Sequence, residues 1–124
     1  MYANGRGVAK DDARAVELYR AAADQGDAGA QCNLGFMYDT GCGVAKDEAR
    51  AVALYQAAAD QGLAAAQCYL GVMYENGRGV AKDEARAVEL YQAAADQGLA
   101  AAQCYLGVMY ENCLLYTSPS PRDS

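Results

Sequence analysis

The sequence has no histidine, no tryptophan and a single phenylalanine. Without histidine, the chain lacks the commonest general base and the commonest metal ligand found in proteins. Phenylalanine and tryptophan are scarce and alanine supplies much of the 53 % apolar fraction, so any helices must pack closely together. We therefore expect an all-α chain that holds no metal and no cofactor.

The chain is also short of positive charge and of long apolar runs. Its net charge is −6, and its lysines and arginines form no basic cluster. Nucleic acids and anionic membrane surfaces bind basic patches, so the composition argues against both as partners. No apolar run approaches the roughly 20 residues needed to cross a bilayer, and we therefore expect no membrane insertion.

What the sequence does have is a repeat with a period of 36 residues. All four methionines follow this period: Met1, Met37, Met73 and Met109. The segment LAAAQCYLGVMYEN at 63–76 recurs unchanged at 99–112, and the segment at 43–62 recurs at 79–98 with one change. A fixed period of this length is typical of stacked supersecondary units.

Each unit is predicted to contain two helices. Asp83 stands at the start of one helix, where its carboxylate can cap free N–H groups, and Gly98 follows the last turn as a stop signal. An apolar stripe of helical period lies between them: Ala87, Leu90, Tyr91 and Ala94. The other helix is expected from about 100 to 112, and Gly77 and Gly79 are suited to the tight connection that joins the two. Neither helix can bury its stripe alone, so the units must stack. A bulky side chain at Gly71 is expected to intrude on the adjacent helix.

The segment AQCYLGVMYENGRGVAKDEARAVELYQAAADQG resembles the Sel-one-like repeat, a relative of the tetratricopeptide repeat. The matching positions are Ala66, Leu70, Gly71, Tyr74, Gly77, Gly79, Val80, Ala87, Tyr91, Ala94, Ala95 and Gly98. The glycine–x–glycine–valine insertion and the longer period favour this family over the tetratricopeptide repeat, whose unit is about 34 residues. The resemblance covers residues 1–112 and implies a right-handed α-solenoid of antiparallel helix pairs, here as an array of about three repeats.

Both ends of the sequence depart from the complete pattern. Met1 aligns with the internal methionines, so the chain opens at the tail of a helix, and we expect an array that is truncated at both ends. The segment Cys113–Asp123, CLLYTSPSPRD, resembles the translated read-through of a transposase-type sequencing adapter. An ordinary disordered tail rich in serine and proline is the alternative. We assign residues 113–124 to a non-native tail without a biological role.

The cysteines and carboxylates do not suggest a catalytic or metal site. Three cysteines occupy one position in successive first helices: Cys32, Cys68 and Cys104. Packed helices lie about 8–10 Å apart, which is too far for a disulfide, so we interpret these cysteines as half-buried packing residues, with a redox or metal role as the alternative. Cys42 replaces the arginine found at Arg78 and is expected to be exposed. Acidic pairs open two of the predicted helices, where helix-end electrostatics explains them: Asp47–Glu48 and Asp83–Glu84.

By resemblance, the first helices of the repeats line a concave groove that binds a protein partner. Its predicted partner-binding residues are Asn33, Phe36, Asp39, Tyr69, Val72, Glu75, Tyr105, Val108 and Glu111. Tyr69 and Tyr105 offer flat, amphipathic contact area, although they could instead pack between repeats. These helices contain no Lys or Arg, which argues against a clamp for a terminal carboxylate. The acidic residues at the groove edge suit a neutral, apolar or basic segment.

The leading hypothesis is a non-enzymatic scaffold or adaptor that binds a peptide or partner domain in this groove. A cysteine-rich secreted branch of the family implies one alternative, an enzyme that binds or hydrolyses β-lactams. The other alternative is a structural spacer within a larger protein. A contiguous aromatic patch in the groove favours a binding module, whereas scattered polar residues favour a spacer. The sequence leaves the compartment and the oligomeric state open.

Overall fold

The computed structural model describes residues 11–111, and for Tyr110 and Glu111 it describes the backbone alone. Within this range the chain forms six α-helices and no strand. They are α1 (Asp12–Asp24), α2 (Ala28–Thr40), α3 (Glu48–Asp60), α4 (Ala64–Asn76), α5 (Glu84–Asp96) and α6 (Ala100–Glu111). The expectations for residues 1–10, for the Cys113–Asp123 tail and for the side chain of Glu111 lie outside the described residues.

Every helix packs against the helices that precede and follow it in the chain. The helices α2, α4 and α6 are the first helices of their repeats, and α1, α3 and α5 are the second helices. The described range therefore contains one second helix, two complete pairs and a final first helix, as the repeat predicts. This arrangement confirms an all-α solenoid of repeats.

Aspartates and glycines set the helix boundaries. The side chains of four aspartates accept hydrogen bonds of 3.0–3.1 Å from the backbone N–H groups three residues later: Asp11, Asp27, Asp47 and Asp83. Gly41 and Gly77 end α2 and α4 in the left-handed conformation, with φ of 75° and 66°. Gly98 follows α5 with φ of 90°. The predicted cap at Asp83 and the predicted stop at Gly98 are confirmed.

The second glycine of the long loop brings that loop against the preceding repeat. Gly79 has φ of 74°, and a Cβ added there would lie 2.5 Å from the carbonyl oxygen of Glu48. Gly43 approaches the carbonyl oxygen of Asp12 equally closely. Because this loop lies against the first turn of α1, Cys42 is half-buried, and the prediction that it is exposed is wrong.

The core is built around two tyrosines of the second helices. Tyr55 and Tyr91 have no exposed surface. A Cβ added to Gly71 of α4 would lie 2.7 Å from the ring of Tyr91, and one added to Gly35 of α2 would lie 3.0 Å from the ring of Tyr55. The close approach predicted at Gly71 is therefore confirmed, and its partner is an aromatic ring.

Two glutamines join consecutive repeats in the same way. The side-chain amide of Gln61 donates to the carbonyl oxygen of Gly26 at 2.9 Å and to the side chain of Gln31 at 2.8 Å. Gln97 makes the equivalent bonds one repeat later, to Gly62 at 2.8 Å and Gln67 at 3.0 Å. The same polar contacts therefore recur at both complete junctions.

Candidate functional site

The face of the molecule formed by α2, α4 and α6 exposes large apolar side chains, and we call it the first-helix face. The exposed fraction is 45 % for Phe36, 41 % for Tyr69, 42 % for Tyr105 and 48 % for Val108. Val72 is half-buried on the same face, and the polar Asn33 occupies the position equivalent to Tyr69. Aromatic and apolar groups therefore dominate this surface.

Phe36, Tyr69 and Tyr105, which we call the aromatic strip, rest partly on other aromatic rings. The ring of Tyr69 stacks on buried Tyr55, with centroids 5.3 Å apart, and lies 6.1 Å from the ring of Phe36. Tyr105 stacks on buried Tyr91 at 5.2 Å. Each ring therefore packs on its buried neighbour with one side and remains exposed on the other. The packing interpretation is confirmed, and the partner-binding role of Tyr69 and Tyr105 stays a prediction.

A cavity of about 300 Å³ lies on this face between α4 and α6. It is lined by Ala65, Cys68, Tyr69, Val72, Leu99, Ala101 and Tyr105. The structure thus brings three of the predicted partner-binding residues, Tyr69, Val72 and Tyr105, around one apolar depression. Leu99 was not predicted, because it precedes α6 and falls outside the helical pattern.

The two described acidic side chains at the predicted groove edge are bound by neighbouring groups. Asp39 forms an ion pair with Arg78 of the next loop, and Tyr55 donates to its other oxygen at 3.4 Å. Glu75 accepts a hydrogen bond of 2.6 Å from the hydroxyl of Tyr91. Both carboxylates therefore take part in packing between helices, and the charge of Asp39 is compensated by Arg78.

Arg78 is a residue whose role the sequence analysis missed. Its guanidinium joins Asp39 and also donates to Glu48 at 3.0 Å, so it connects its loop to two helices of the preceding repeat. The sequence did contain a signal, since Arg78 occupies the loop position that holds Cys42 in the preceding repeat. The partners of Arg78, Asp39 and Glu48, lie about one repeat earlier in the chain. Recognising it required the contact between the loop and α3.

The four cysteines of the described range are free thiols, and Cys32 and Cys68 serve as packing residues in helices that are covered on both sides. Cys32 and Cys68 are buried, and burial raises the pKa of Cys32 to about 11 and also raises that of Cys68. Both thiols therefore stay protonated at neutral pH and are poor nucleophiles. Cys104 is exposed on α6.

The described side chains, those of residues 11–109, include no group of three or more cysteines and carboxylates placed to hold a metal ion. None of the six helices is long and apolar enough to cross a membrane.

Comparison of the sequence with known protein families identifies its repeat. The Sel1 repeat pattern matches four segments that together cover residues 1–112: 1–27, 28–63, 64–99 and 100–112. No curated protein matches the chain.

The solved structures similar to this chain include two crystal structures. One is c5321, a protective antigen present in uropathogenic Escherichia coli strains and displaying an SLR fold, with 43 % identity and a TM-score of 0.84 over 90 % of this chain. The other is a Sel1 repeat protein from Oxalobacter formigenes, with 37 % identity and a TM-score of 0.79 over 89 % of this chain. This chain spans 24 % and 45 % of the lengths of those two proteins. With the family pattern matching all of its repeats, the chain belongs to the Sel1 repeat family.

Proposed function

We propose that the first-helix face is a concave binding groove and that the protein acts as a scaffold or adaptor by holding a peptide or partner segment there. Sel1 repeat proteins generally mediate protein–protein interaction, which supports this class of function. The observation that carries the proposal is the aromatic strip, because Phe36, Tyr69 and Tyr105 lie on one face with more than a third of each side chain exposed.

The buried tyrosines make the strip a favourable binding surface. Tyr69 and Tyr105 are held in place by stacking on Tyr55 and Tyr91, so less side-chain entropy is lost when a partner covers them. Tyrosine is also enriched among the residues that dominate interface energetics. A partner can therefore gain affinity from a small number of aromatic contacts.

The surroundings of the strip favour an apolar partner segment. The cavity beside Tyr69 and Tyr105 is lined mainly by apolar groups and has room for an aliphatic or aromatic side chain. Asp39 is paired with Arg78, so its charge is largely compensated, whereas Glu75 keeps its charge and has one oxygen occupied by the hydroxyl of Tyr91. We therefore expect apolar contacts to set the affinity and charge to contribute little.

The two alternative functions receive less support. A spacer has no need for a contiguous aromatic patch, which is the feature that distinguishes a binding module from it. A β-lactam hydrolase requires an activated nucleophile, whereas the pKa values of Cys32 and Cys68 are raised by burial. Turnover of nitrocefin by the purified chain would favour the hydrolase over the scaffold.

A peptide selection followed by mutation of the strip tests the proposal. Peptides from a random displayed library are selected on the immobilised chain, and their affinities are measured by fluorescence anisotropy. We expect the selected peptides to carry aromatic or aliphatic residues. The double substitution Tyr69→Ala with Tyr105→Ala is expected to weaken binding by at least about tenfold, because hot-spot tyrosines each contribute on the order of 1–2 kcal/mol.

Leu18→Ala provides the matched control. Leu18 is 62 % exposed on α1, away from the first-helix face, so its loss should leave the affinity unchanged. Circular dichroism checks that both variants keep their helix content. Equal affinity for the wild type and the double variant would contradict the groove assignment, and failure to select any peptide would favour the spacer.

A further inference from the structure

A second cavity, of about 600 Å³, lies between α1, α2 and α3, and we call it the outer cleft. None of its lining residues belongs to the aromatic strip. Leu34, Ala53 and Leu54 give it an apolar wall, and Arg20, Tyr38 and Arg50 give it a polar one. It therefore combines an apolar surface with two arginines, and Asp24 and Asp47 also line it.

The two arginines of the outer cleft approach the same tyrosine from different helices. Arg20 of α1 donates a hydrogen bond of 2.7 Å to the hydroxyl of Tyr38. The guanidinium carbon of Arg50 of α3 lies 5.3 Å from the centroid of the Tyr38 ring. Two like charges that meet at one side chain repel each other, and an anion placed between them would relieve that repulsion.

The carboxylates near these arginines compensate them only weakly. Among the described residues, Arg20 has no carboxylate within 4.0 Å, and the nearest to Arg50 is Asp47 at 3.9 Å. Asp47 also caps α3 by accepting a hydrogen bond from the N–H of Arg50. Asp24 lines the cleft as well but forms no ion pair there. The guanidinium groups thus retain donors for another anion.

The lining residues of the outer cleft differ at two positions from the equivalent residues one repeat later. Of its eleven lining residues, nine are identical 36 positions further on. The two differences are Arg20, which becomes Gln56, and Ala53, which becomes Glu89. Each difference makes the outer cleft more positive by one charge than its counterpart. The change at Ala53 also leaves open the space that a glutamate side chain would take.

We propose that the outer cleft binds a small organic oxyanion, meaning a carboxylate or phosphate joined to an apolar group. Arg20 and Arg50 donate to the oxyanion, since guanidinium groups match the geometry of carboxylate and phosphate. Leu34, Ala53 and Leu54 contact the apolar part. This site is independent of the groove proposed for protein partners, and each can fail without the other.

Isothermal titration of the purified chain with phenyl phosphate and with phenylacetate tests the proposal, with benzyl alcohol as the neutral probe. We expect one anion to bind per chain and benzyl alcohol not to bind. Arg20→Gln and Ala53→Glu each install the residue of the next repeat, and each should weaken binding by about tenfold or more, the loss expected for one charge-assisted hydrogen bond or one added repulsion.

The repeat also offers the reverse experiment. The double substitution Gln56→Arg with Glu89→Ala gives the next repeat the residues of the outer cleft, and the stoichiometry should rise from one anion to two. Lys82→Gln and Leu18→Glu make the same charge changes outside the cleft and should leave the affinity unchanged.

Several results would overturn the proposal. One is a wild-type chain that binds neither phenyl phosphate nor phenylacetate. Another is a loss of affinity in Lys82→Gln as large as that in Arg20→Gln, which would indicate general charge attraction. Inorganic phosphate binding as tightly as phenyl phosphate would show that the apolar wall contributes nothing, and the organic part of the proposal would then be wrong.

Discussion

At the scale of the residue, close contacts form between a glycine of a first helix and a tyrosine of the following helix. Gly71 leaves the space that the ring of Tyr91 occupies, and Gly35 does the same for Tyr55. The sequence indicated that a neighbour comes close to Gly71. It could not indicate which side chain does so, because that depends on how far each helix is rotated about its axis.

Gly71→Leu is expected to destabilise the protein by about 1–3 kcal/mol, since the new side chain must displace Tyr91 from a packed core. Urea unfolding followed by circular dichroism measures the change. Gly107→Leu is the matched control, because a Cβ at this equivalent position of α6 meets nothing within 4 Å. There the substitution should be neutral or stabilising by up to about 1 kcal/mol. Equal effects at both glycines would contradict this account of the core.

The residue scale also shows where sequence-based prediction of the site stops. The positions of Phe36, Tyr69 and Tyr105 on one face follow from the helical period and the 36-residue repeat. The engagement of Asp39 by Arg78 does not, because it depends on a loop that reaches back to the preceding repeat. Side chains that act within one helix were predictable, and those that join repeats were not.

At the scale of the element, the seven-residue loops after α2 and α4 do more than connect helices. Each lies against the start of the preceding second helix, and the second of these loops adds the ion pairs of Arg78. The loops therefore contribute to the junction between repeats along with the helices.

Arg78→Gln should lower the free energy of unfolding by about 1 kcal/mol. The substitution removes the bonds to Asp39 and Glu48, but Arg78 is about one-third exposed, so solvent screening limits their contribution. Thermal unfolding at low and high salt measures the effect, which should shrink as salt rises. Lys82→Gln, which removes a longer and more exposed ion pair with Glu84, should change stability by less than about 0.5 kcal/mol. A loss in Lys82→Gln equal to that in Arg78→Gln would contradict a specific role for the loop.

At the scale of the whole molecule, the buried ionisable groups predict a loss of stability at alkaline pH. Burial raises the pKa of Cys32 from 9.0 to about 11, and it also raises the pKa values of Cys68, Tyr55 and Tyr91. These groups are neutral when protonated, so the fold favours their protonated forms. The contribution of Cys32 to stability is complete below pH 9 and is lost as the pH rises from 9 through 11, because the unfolded chain then releases a proton that the folded chain retains. The contributions of Tyr55 and Tyr91, whose ordinary pKa is 10.0, begin to be lost as the pH rises past 10.

Urea unfolding at several pH values between 8 and 11 measures this dependence. The transition midpoint should fall above pH 9, and Cys32→Ala should show a shallower fall because it lacks one of the groups. Cys104→Ala removes an exposed thiol and should keep the wild-type slope. A midpoint that is constant up to pH 11 would contradict the shift.

The fold of the whole molecule was largely predictable. The period, the caps and the glycines define helix pairs, and their apolar stripes require stacking, which the structure confirms. The outer cleft was not predictable, because it arises where α1, α2 and α3 meet and its arginines come from different repeats. Ala53 against Glu89 was visible as a difference between copies, but its location beside Arg20 was not.

The near-identity of the junctions has a consequence for folding. Helices α3 and α5 differ at one position. During folding, α2 and α4 can therefore each pack against either of two nearly identical helices. Side chains alone cannot discriminate between correct and shifted pairings. The short loops must do so, because they bring the helix that follows in the chain into contact first. The connecting loops therefore determine which helices pair. Two molecules that are unfolded and refolded together would be able to exchange repeats by domain swapping.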